Sequence, residues 1–411
     1  MNAVTIINIV LGALLALCYS YQFIYIIISY FPKKAAPDTC EYSSFAVLVC
    51  ARNESLVIER LLESLSVQNY PSEKYRVFVV ADNCTDDTFD KAKAWGAHAY
   101  RRFNKEQVGK GYAMNYLIES IKRDYGKDAF DAFVVFDADN VVEPDYLGEI
   151  NKTIRCGYDV VTSYRASLNY GDNWLSAGHG MCFLRDMVLL NRARHALGAA
   201  SFVSGTGYAF TSSLCESFGG GWPFHTLTED CEFTMYNAVA GTKMGYCDSA
   251  VFYDEQPTDL RQSFNQRLRW CRGGIQVFVR YIGKILGGAF SKRIISFFDM
   301  AMCMAPAYIL SVIATLVNTV GTAVSLALGE DPASVFSGLA IAIILLYLAL
   351  LCFSVSLTVT EWKRIKASAF KKILYTFTFP VFMFTFLPIA IVALVKRRVV
   401  WHEAKRKKYK K

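Results

Sequence analysis

The chain has 411 residues, of which 53% are hydrophobic and 19% are charged, and its formal net charge is +8. This length allows more than one domain, and the charged residues divide the sequence into a mixed-charge central block and strongly apolar flanks. The twelve cysteines are scattered without a CxxC pair, and the histidines do not cluster at metal-ligand spacing. This pattern argues against a disulfide framework and a zinc site and favours reduced thiols.

Three apolar runs are long enough to cross a membrane as helices. The segments Ala3 to Phe31, Ala301 to Gly329 and Pro332 to Thr360 contain no Asp, Glu, Lys or Arg. Each exceeds the roughly 20 helical residues that span about 30 Å of hydrocarbon. The first run lacks the basic start of a signal peptide, so we predict a retained transmembrane anchor at residues 1–32.

Basic residues beside these runs predict the orientation of the chain. Lys33 and Lys34 follow the anchor. By the positive-inside tendency, this places the central block in the cytoplasm, at a plasma membrane that the chain crosses several times. Nine Lys or Arg between residues 396 and 411 form a tail that suits an anionic leaflet. Nucleic-acid binding is the competing interpretation of this tail, but its position directly after an apolar segment favours the membrane.

A fourth apolar run, Ile373 to Val395, carries Pro380 and Pro388. With the amino end outside, four crossings would place the basic tail outside as well, against the positive-inside tendency. Proline interrupts helices because it lacks an N–H donor and crowds the preceding turn. We therefore predict that this run is a re-entrant or interfacial pair that leaves the tail in the cytoplasm.

The central block begins with two strand patterns. Phe45 to Cys50 is predicted to be a buried strand, and it is followed by the polar turn Arg52-Asn53-Glu54 and by a helix pattern that ends near Gln68. A second strand, Arg76 to Val80, leads to Asp82, whose place at the strand end suits a contact with a ribose or a base. The alternation of strands and helices predicts a mostly parallel sheet with ligands at its carboxyl edge.

A turn suited to phosphate follows. Gly109-Lys110-Gly111 opens a predicted helix that runs to about Asp124. Glycines beside a lysine at a helix start can admit an anion, because backbone N–H groups and the helix dipole favour negative charge there. The spacing is not that of a P-loop, so the turn alone is a weak signal for phosphate binding.

The next strand, within Phe133 to Asn140, ends in two carboxylates, Asp137 and Asp139. Two like charges at a strand end repel and cost desolvation unless a cation or water receives them. A hard divalent ion would take such a pair and share its other positions with water and phosphate oxygens. A strand near Val160 to Tyr164 and a long helix from about Trp174 to Leu197 are predicted to follow.

Three polar motifs come later in the block. Ser204-Gly205-Thr206-Gly207 would let the backbone approach a sugar closely, although a plain tight turn fits the glycines equally well. Thr228-Glu229-Asp230 stands at the start of a predicted helix, and the sequence QRLRW, residues 266–270, ends another. From Ile275 to Phe298 apolar and basic residues alternate irregularly, which favours amphipathic helices on the cytoplasmic leaflet, with an ordinary surface helix as the alternative.

The order of these motifs is specific: RNE, Asp82, DAD, TED and QRLRW are followed by membrane spans. In this order the chain resembles the membrane-embedded, processive family-2 glycosyltransferases, which include cellulose, chitin, hyaluronan and poly-N-acetylglucosamine synthases. The resemblance implies an α/β fold of the GT-A type, with a mostly parallel sheet that binds a nucleotide sugar, plus transmembrane and interfacial helices. The implied regions are an anchor (1–32), a cytosolic GT-A domain (40–271), interfacial helices (272–298), a transmembrane region (299–395) and the basic tail (396–411).

The resemblance also implies roles for individual residues. Asp137 and Asp139 match a metal-binding pair for Mg²⁺ or Mn²⁺, and Asp230 matches the base that takes the proton of the acceptor hydroxyl. The divalent ion and the Arg269 guanidinium would neutralise the charge of the leaving diphosphate. We assign Glu229, Asp230 and Arg269 to catalysis, and to substrate binding we assign Arg52, Asn53, Glu54, Asp82, Lys110, Asp137, Gly205, Thr206, Gln266 and Trp270. Trp270 would stack on an acceptor sugar, with anchoring at the membrane interface as the alternative.

These implications favour a processive, inverting synthase that builds a β-glucan from UDP-glucose. The alternatives are a synthase of an N-acetylglucosamine polymer, a non-processive transferase that adds one sugar to a lipid, and a catalytically silent membrane scaffold. The expected partners are a UDP-sugar donor, a glycan acceptor and membrane lipid, without nucleic acid, and the oligomeric state stays open. The spans contain few polar residues, among them Thr315, Asn318 and Ser325, which leaves a secretion path open to question.

Overall fold

The computed structural model describes residues 3–33, 35–288, 294–304, 306–396 and 399, so Lys34 and nearly all of the basic tail lie outside the described residues. The described part contains one eight-stranded sheet with helices packed on both of its faces. The strands are β1 (Phe45–Ala51), β2 (Tyr75–Asp82), β3 (His98–Arg102), β4 (Ala132–Asp137), β5 (Val141–Val142), β6 (Val160–Ser167), β7 (Tyr208–Thr211) and β8 (Met244–Asp254).

Helices precede, separate and follow the strands. In chain order they are α1 (Ala3–Tyr19), α2 (Tyr21–Ser29), α3 (Ile58–Ser66), α4 (Thr88–Ala94), α5 (Lys110–Tyr125), α6 (Tyr146–Arg155), α7 (Trp174–Leu184), α8 (Arg192–Ala196), α9 (Ser212–Ser217), α10 (Glu229–Ala240), α11 (Leu260–Gly287), α12 (Ile294–Met304), α13 (Pro306–Ala327), α14 (Pro332–Thr360), α15 (Ala369–Phe384) and α16 (Phe386–Val395). We call the part from β1 to α11 the sheet domain.

The sheet is mostly parallel, as predicted, with the strand order β3-β2-β1-β4-β7-β6-β8-β5. Strands β3, β2, β1 and β4 run parallel, as do β6 and β8, whereas β7 runs antiparallel to both β4 and β6. Alternating apolar residues cover both faces: Leu48 packs in one core cluster with Leu117, and Val49 packs in the other with Leu61. The register places Cys50 opposite Asp137, so the ends of β1 and β4 lie side by side.

The helix that carries QRLRW is longer than the sequence pattern predicted. α11 runs from Leu260 to Gly287, so the motif lies in its first half and the expected boundary between residues 271 and 272 falls inside the helix. Gly273 and Gly274 do not end the helix. A Cβ added to Gly273 would approach the Thr228 side chain to 2.4 Å, so this glycine permits close packing against the segment before α10.

The helix predicted from residues 174 to 197 is present but contains an irregular turn. Asn173 caps its start and forms a capping box with Ser176. The segment Arg185–Asn191 between α7 and α8 has the wider hydrogen-bond pattern of a π-helix. Such turns are rare and occur frequently at functional sites.

Within the part of the chain that the structure describes, four helical segments are long and apolar enough to cross a membrane: Val10–Ser29, Pro306–Ala327, Pro332–Thr360 and Ala369–Val395. The first three correspond to the charge-free runs of the sequence. The fourth consists of α15 and α16, which meet at Thr385, and Pro380 lies inside α15.

Both ends of the fourth segment contact the sheet domain. Lys371 at its start donates a 2.6 Å hydrogen bond to the carbonyl oxygen of Gly171, which follows β6. Near its end, Arg272 of α11 donates to the carbonyl oxygen of Ala393 at 3.4 Å. The segment is also long enough to cross a membrane, so the re-entrant or interfacial arrangement stays a prediction.

A buried ion pair joins the amino-terminal helices to the sheet domain. Arg194 of α8 and Asp299 of α12 are each 1% exposed at their side chains, and two hydrogen bonds of 2.7 and 2.8 Å connect them. The hydroxyl groups of Tyr21 and Tyr25 on α2 donate to the same carboxylate at 2.8 and 3.1 Å. The pair is thus well provided with hydrogen bonds, as a buried ion pair requires.

Candidate active site

Most of the residues assigned to the site line one cavity of about 2220 Å³. It adjoins the carboxyl ends of β1, β2 and β4, where ligands bind in sheets of this kind. The assigned residues that line it are Arg52, Glu54, Asp82, Lys110, Asp137, Asp139, Gly205, Glu229, Asp230, Gln266, Arg269 and Trp270.

Lys110 lies between the strand-end carboxylates and the start of α10. Its ammonium group donates to Oδ1 of Asp137 at 2.5 Å and to the carbonyl oxygen of Gly205 at 2.6 Å. Gly205 has φ 81°, a conformation that L side chains rarely adopt, and a Cβ there would lie 3.4 Å from Oδ2 of Asp230. These contacts bring the DAD and TED motifs, which are about ninety residues apart in sequence, to one place.

The two aspartates of the DAD motif are held differently. The backbone N–H of Asp137 donates to Thr206 Oγ1 at 2.9 Å and to Asn140 Oδ1 at 3.1 Å. Burial opposes ionisation of Asp137, but the adjacent Lys110 ammonium outweighs it, so the pKa of Asp137 lies below its usual range. Asp137 is therefore a carboxylate at neutral pH. Asp139, by contrast, is 6% exposed, and its Oδ1 lies 3.4 Å from the side-chain amide nitrogen of Asn140.

α10 begins with two neighbouring acids, Glu229 and Asp230. Burial raises the pKa of both, and the charge of Asp230 adds to the effect at Glu229, whose pKa is about 7. Adjacent carboxyl groups disfavour each other's ionised form. A carboxylate with a raised pKa is a better proton acceptor, and general bases are commonly tuned in this way.

α11 brings Arg269 and Gln266 to the cavity. The Arg269 Nη1 atom donates to the carbonyl oxygen of Leu227, directly before the TED motif, at 3.2 Å. The side-chain oxygen of Gln266 is buried and has no hydrogen-bond partner among the described residues. Buried polar atoms normally have a partner, so a bound ligand would satisfy this oxygen.

Trp270 is fixed by two rings. His179 and Phe183 both meet it in T-shaped contacts, with ring centroids 5.5 Å away. Such edge contacts hold an indole in one orientation. Trp270 also lines the cavity, and its stacking on an acceptor sugar stays a prediction.

Two assigned residues, Asn53 and Thr206, are not among those that line the cavity. Asn53 has φ 54°, and its side-chain oxygen accepts a 2.8 Å hydrogen bond from the Thr85 backbone N–H, so it connects the turns after β1 and β2. Thr206 is 1% exposed, and its hydroxyl donates to Asn140 while it accepts from the backbone of Asp137. Both residues thus have hydrogen-bond partners inside the protein, and their substrate contacts stay predictions.

Asp82 has a partner inside the protein. Its Oδ1 accepts a 2.6 Å hydrogen bond from Arg102, and both side chains are less than a tenth exposed. Arg102 also donates to the carbonyl oxygen of Gln107, just before the GKG turn, at 2.8 Å. Asp82 therefore holds this turn in place from the cavity wall, and its contact with a base or ribose stays a prediction.

Sequence reasoning missed the pair Arg165 and Asp254, which also lines the cavity. The Arg165 Nε atom donates to Asp254 at 2.9 Å, its Nη1 donates to the Ser204 carbonyl oxygen at 2.7 Å, and its guanidinium lies 3.5 Å from the ring centroid of Phe183. Asp254 ends β8, so the strand-end criterion that selected Asp82 and Asp137 would have found it.

The carboxylates of the DAD motif are the candidate metal ligands. Among the described residues no group of three or more His, Cys, Asp or Glu side chains is placed to hold a metal ion. Two carboxylates, Asp137 and Asp139, do line the cavity. Such a pair fits Mg²⁺ or Mn²⁺, which retain waters and complete their shell with substrate phosphates.

Residues 43–273, more than half of the chain, match the family described as glycosyltransferase like family 2. The chain belongs to this family. It is therefore a glycosyltransferase, and the GT-A fold predicted from its motifs is confirmed.

The transferase is similar to the beta-monoglucosyldiacylglycerol synthase of Nostoc sp., with 28% identity over 276 residues, 64% of this chain and 56% of that protein. The poly-beta-1,6-N-acetyl-D-glucosamine synthase of Staphylococcus epidermidis is 22% identical over 58% of this chain and 57% of its own length. The chain thus spans little more than half of the curated relatives it matches. The fold is shared with the mannosyltransferase PcManGT from Pyrobaculum calidifontis, solved with GDP-Man and Mn²⁺, at a TM-score of 0.63 and 19% identity over 94% of this chain and 97% of that one.

Proposed function

We propose that this glycosyltransferase transfers one glucose residue from UDP-glucose, with inversion, to a hydroxyl group of a membrane lipid. One observation carries the choice of acceptor. The cavity that contains Asp230 and Trp270 is also lined by residues of the apolar helices α1, α13 and α14, among them Leu15, Thr315 and Leu346. An acceptor whose chains lie among these helices would reach the base without leaving the membrane.

The donor would lie along the carboxyl edge of the sheet. Arg52 and Asp82 line the part of the cavity that adjoins the ends of β1 and β2, and we assign them to the nucleoside. Lys110 and Arg269 supply positive charge for the diphosphate, and an arginine can bind two phosphate oxygens at once. A divalent ion held by Asp137 and Asp139 would add further charge neutralisation at the leaving group.

The transfer itself is a single displacement. The lipid oxygen attacks the anomeric carbon of the sugar while UDP departs from the opposite face. Asp230 takes the proton of the attacking hydroxyl, and its raised pKa suits it to this task. One displacement inverts the anomeric centre, so an α-linked donor gives a β-glucoside.

The processive β-glucan synthase favoured by the sequence is the second candidate. The QRLRW motif and the fixed face of Trp270 support it, because a flat indole can receive the terminal sugar of a growing chain. The relatives named as beta-monoglucosyldiacylglycerol synthases support the lipid acceptor instead. With three spans and an interfacial α15–α16 segment, the sheet domain would lie at the cytoplasmic face for either candidate.

The two candidates give different products. The full chain in detergent micelles would be supplied with labelled UDP-glucose, dioleoylglycerol and Mg²⁺ or Mn²⁺. We expect a chloroform-soluble glucosyl lipid with a β-linkage, no label after chelation of the metal, and none from Asp230→Asn. A labelled product of high molecular weight that forms without added lipid would overturn the proposal in favour of the polymer synthase.

A further inference from the structure

We propose that Arg185 and Asp186 form the head-group subsite for the acceptor, and that this subsite selects an uncharged, hydroxyl-bearing lipid over a lipid phosphate. The inference rests on the proposed function and deepens it. No motif of the sequence marks these two residues. They stand at the start of the π-helical turn Arg185–Asn191, and both line the cavity.

The pair lies close to several of the apolar helices. Arg185 lines the same cavity as Cys182 on α7, Cys303 near the end of α12, Tyr19 at the end of α1 and Tyr308 in the first turn of α13. All four are close enough for the Arg185 charge to interact with them. The pair therefore lies where the sheet domain meets the apolar helices. This is the level at which the polar head of a lipid would stand while its chains extend among the spans.

The hydrogen bonds within the pair leave one donor atom and one acceptor atom for a ligand. The Nε and Nη2 atoms of Arg185 donate to Asp186 at 3.0 and 2.8 Å, and both bonds end on the same oxygen, Oδ1. Among the described residues, Nη1 of the arginine and Oδ2 of the aspartate have no further hydrogen bond that would occupy them. The side chains are 27% and 25% exposed, so a ligand can reach them. A donor and an acceptor side by side suit a hydroxyl group, which needs both.

The charges of Arg185 and Asp186 determine which class of ligand the subsite can bind. Arg185 and Asp186 neutralise each other, and the next pair, Arg194 and Asp299, is neutral and fully buried. A phosphate placed here would bring negative charge out of water beside an arginine that is already paired with Asp186, which opposes its binding in a partly buried site. A glycerol hydroxyl or an ester carbonyl carries no such cost. The subsite is therefore complementary to an uncharged glycerolipid.

The part of the cavity lined by α1 and α14 is apolar and suits acyl chains. Leu15 of α1 and Leu339, Leu346 and Leu350 of α14 line the same cavity. Apolar side chains that face a cavity give a lipid chain the same surroundings as the bilayer core.

The test measures acceptor and donor kinetics separately. The full chain, Asp186→Asn and Arg185→Gln would be assayed in mixed micelles with labelled UDP-glucose and dioleoylglycerol. We expect both variants to raise the acceptor KM by about 10-fold or more, as for loss of a hydrogen bond to a charged group. The donor KM and the slow hydrolysis of UDP-glucose in the absence of acceptor should stay unchanged. Asp186→Glu, which keeps the ion pair, should restore the acceptor KM to within a few-fold.

A competitor tests the charge argument. Asp186→Asn leaves Arg185 uncompensated, so we expect dioleoyl phosphatidic acid to inhibit this variant and to leave the wild type unaffected at the same concentration. Asp90→Asn is the matched control, because Asp90 pairs with Arg101 at 3.2 Å on the exposed surface away from the cavity. It should behave as the wild type in every assay.

The outcomes separate the two proposals. A wild-type chain that glucosylates no diacylglycerol overturns the proposed function, and the subsite falls with it. If the wild type makes the glucosyl lipid but the variants keep its acceptor KM, only the subsite is wrong. Equal inhibition of the wild type and Asp186→Asn by phosphatidic acid would overturn the selection against charged heads.

Discussion

The ammonium group of Lys110 lies 2.5 Å from Oδ1 of Asp137, at the end of the strand that carries the DAD motif. Burial opposes the charge of Lys110, but Asp137 and Glu229 outweigh it and raise the pKa of the lysine. Without a ligand, the two charges therefore compensate each other. A divalent ion and a diphosphate bound here would give each group a new partner, the metal for the carboxylate and a phosphate for the ammonium, so that neither charge would be left alone.

Removing the lysine charge should weaken donor binding. Lys110→Met leaves Asp137 without its ammonium partner and the diphosphate without a hydrogen-bond donor. We expect kcat/KM for UDP-glucose to fall about 10- to 100-fold, the effect of losing one hydrogen bond to a charged group. Steady-state kinetics would measure it. Lys91→Met is the control, because Lys91 pairs with Glu59 on the surface, and an unchanged donor KM in Lys110→Met would contradict the assignment.

Replacing the proposed base should abolish turnover and spare donor binding. Asp230→Asn keeps the shape of the side chain but cannot accept the proton of the lipid hydroxyl. We expect kcat to fall about 10²- to 10⁴-fold, the usual contribution of a general base. The dissociation constant of UDP, measured by calorimetry, should change less than twofold. Asp128→Asn on an exposed turn serves as the control, and full turnover by Asp230→Asn would show that another group takes the proton.

The positions of these charged residues show what the sequence could predict. A strand such as Phe45–Ala51 is recognisable because every residue is apolar and polar residues follow at once. Once the sheet is known to be parallel, the ends of β1, β2 and β4 must meet at one edge. The convergence of Asp82 and Asp137 in one cavity was therefore predictable from the pattern alone.

Features that depend on contacts distant in sequence were missed. Gly273 resembles a helix terminator, and only its packing against Thr228 explains why α11 continues through it. Arg165 is the single charged residue of β6, and its partner Asp254 is 89 residues away. Neither local periodicity nor composition contains such a pairing, because it is created by the neighbouring positions of β6 and β8 in the sheet.

The acid limb of the pH profile should report the proposed base, Asp230. The base acts as a carboxylate, so the rate falls when pH drops below its pKa, and burial places that pKa above the usual value of about 3.9 for an aspartate. The charge of Asp230 helps to raise the pKa of Glu229 to about 7, so Glu229 is already uncharged at the pH where Asp230 takes up its proton. We therefore expect Glu229→Gln, like the exposed Glu63→Gln, to leave the acid limb of kcat/KM in place. A limb that moves to lower pH in Glu229→Gln would show that Glu229 carries a charge while the base titrates.

The ion pair between Arg194 and Asp299 should stabilise the attachment of the amino-terminal helices. Arg194→Met leaves the carboxylate buried with two tyrosine hydroxyl groups and the Cys303 thiol but no positive charge, and we expect it to lower the free energy of unfolding by about 3–5 kcal/mol. The double variant Arg194→Met with Asp299→Leu buries no charge, so it should be more stable than either single variant. Denaturant unfolding of the full chain in detergent would measure the series.

Arg101→Met breaks an exposed pair and should cost at most about 1 kcal/mol, which makes it the control for the loss of an arginine. A double variant that loses the full sum of the two single effects would show that Arg194 and Asp299 act independently. In that case the stability would come from the separate packing of each side chain. The attachment of α2 to the sheet domain would then depend on apolar contacts such as that of Tyr25 with Leu190.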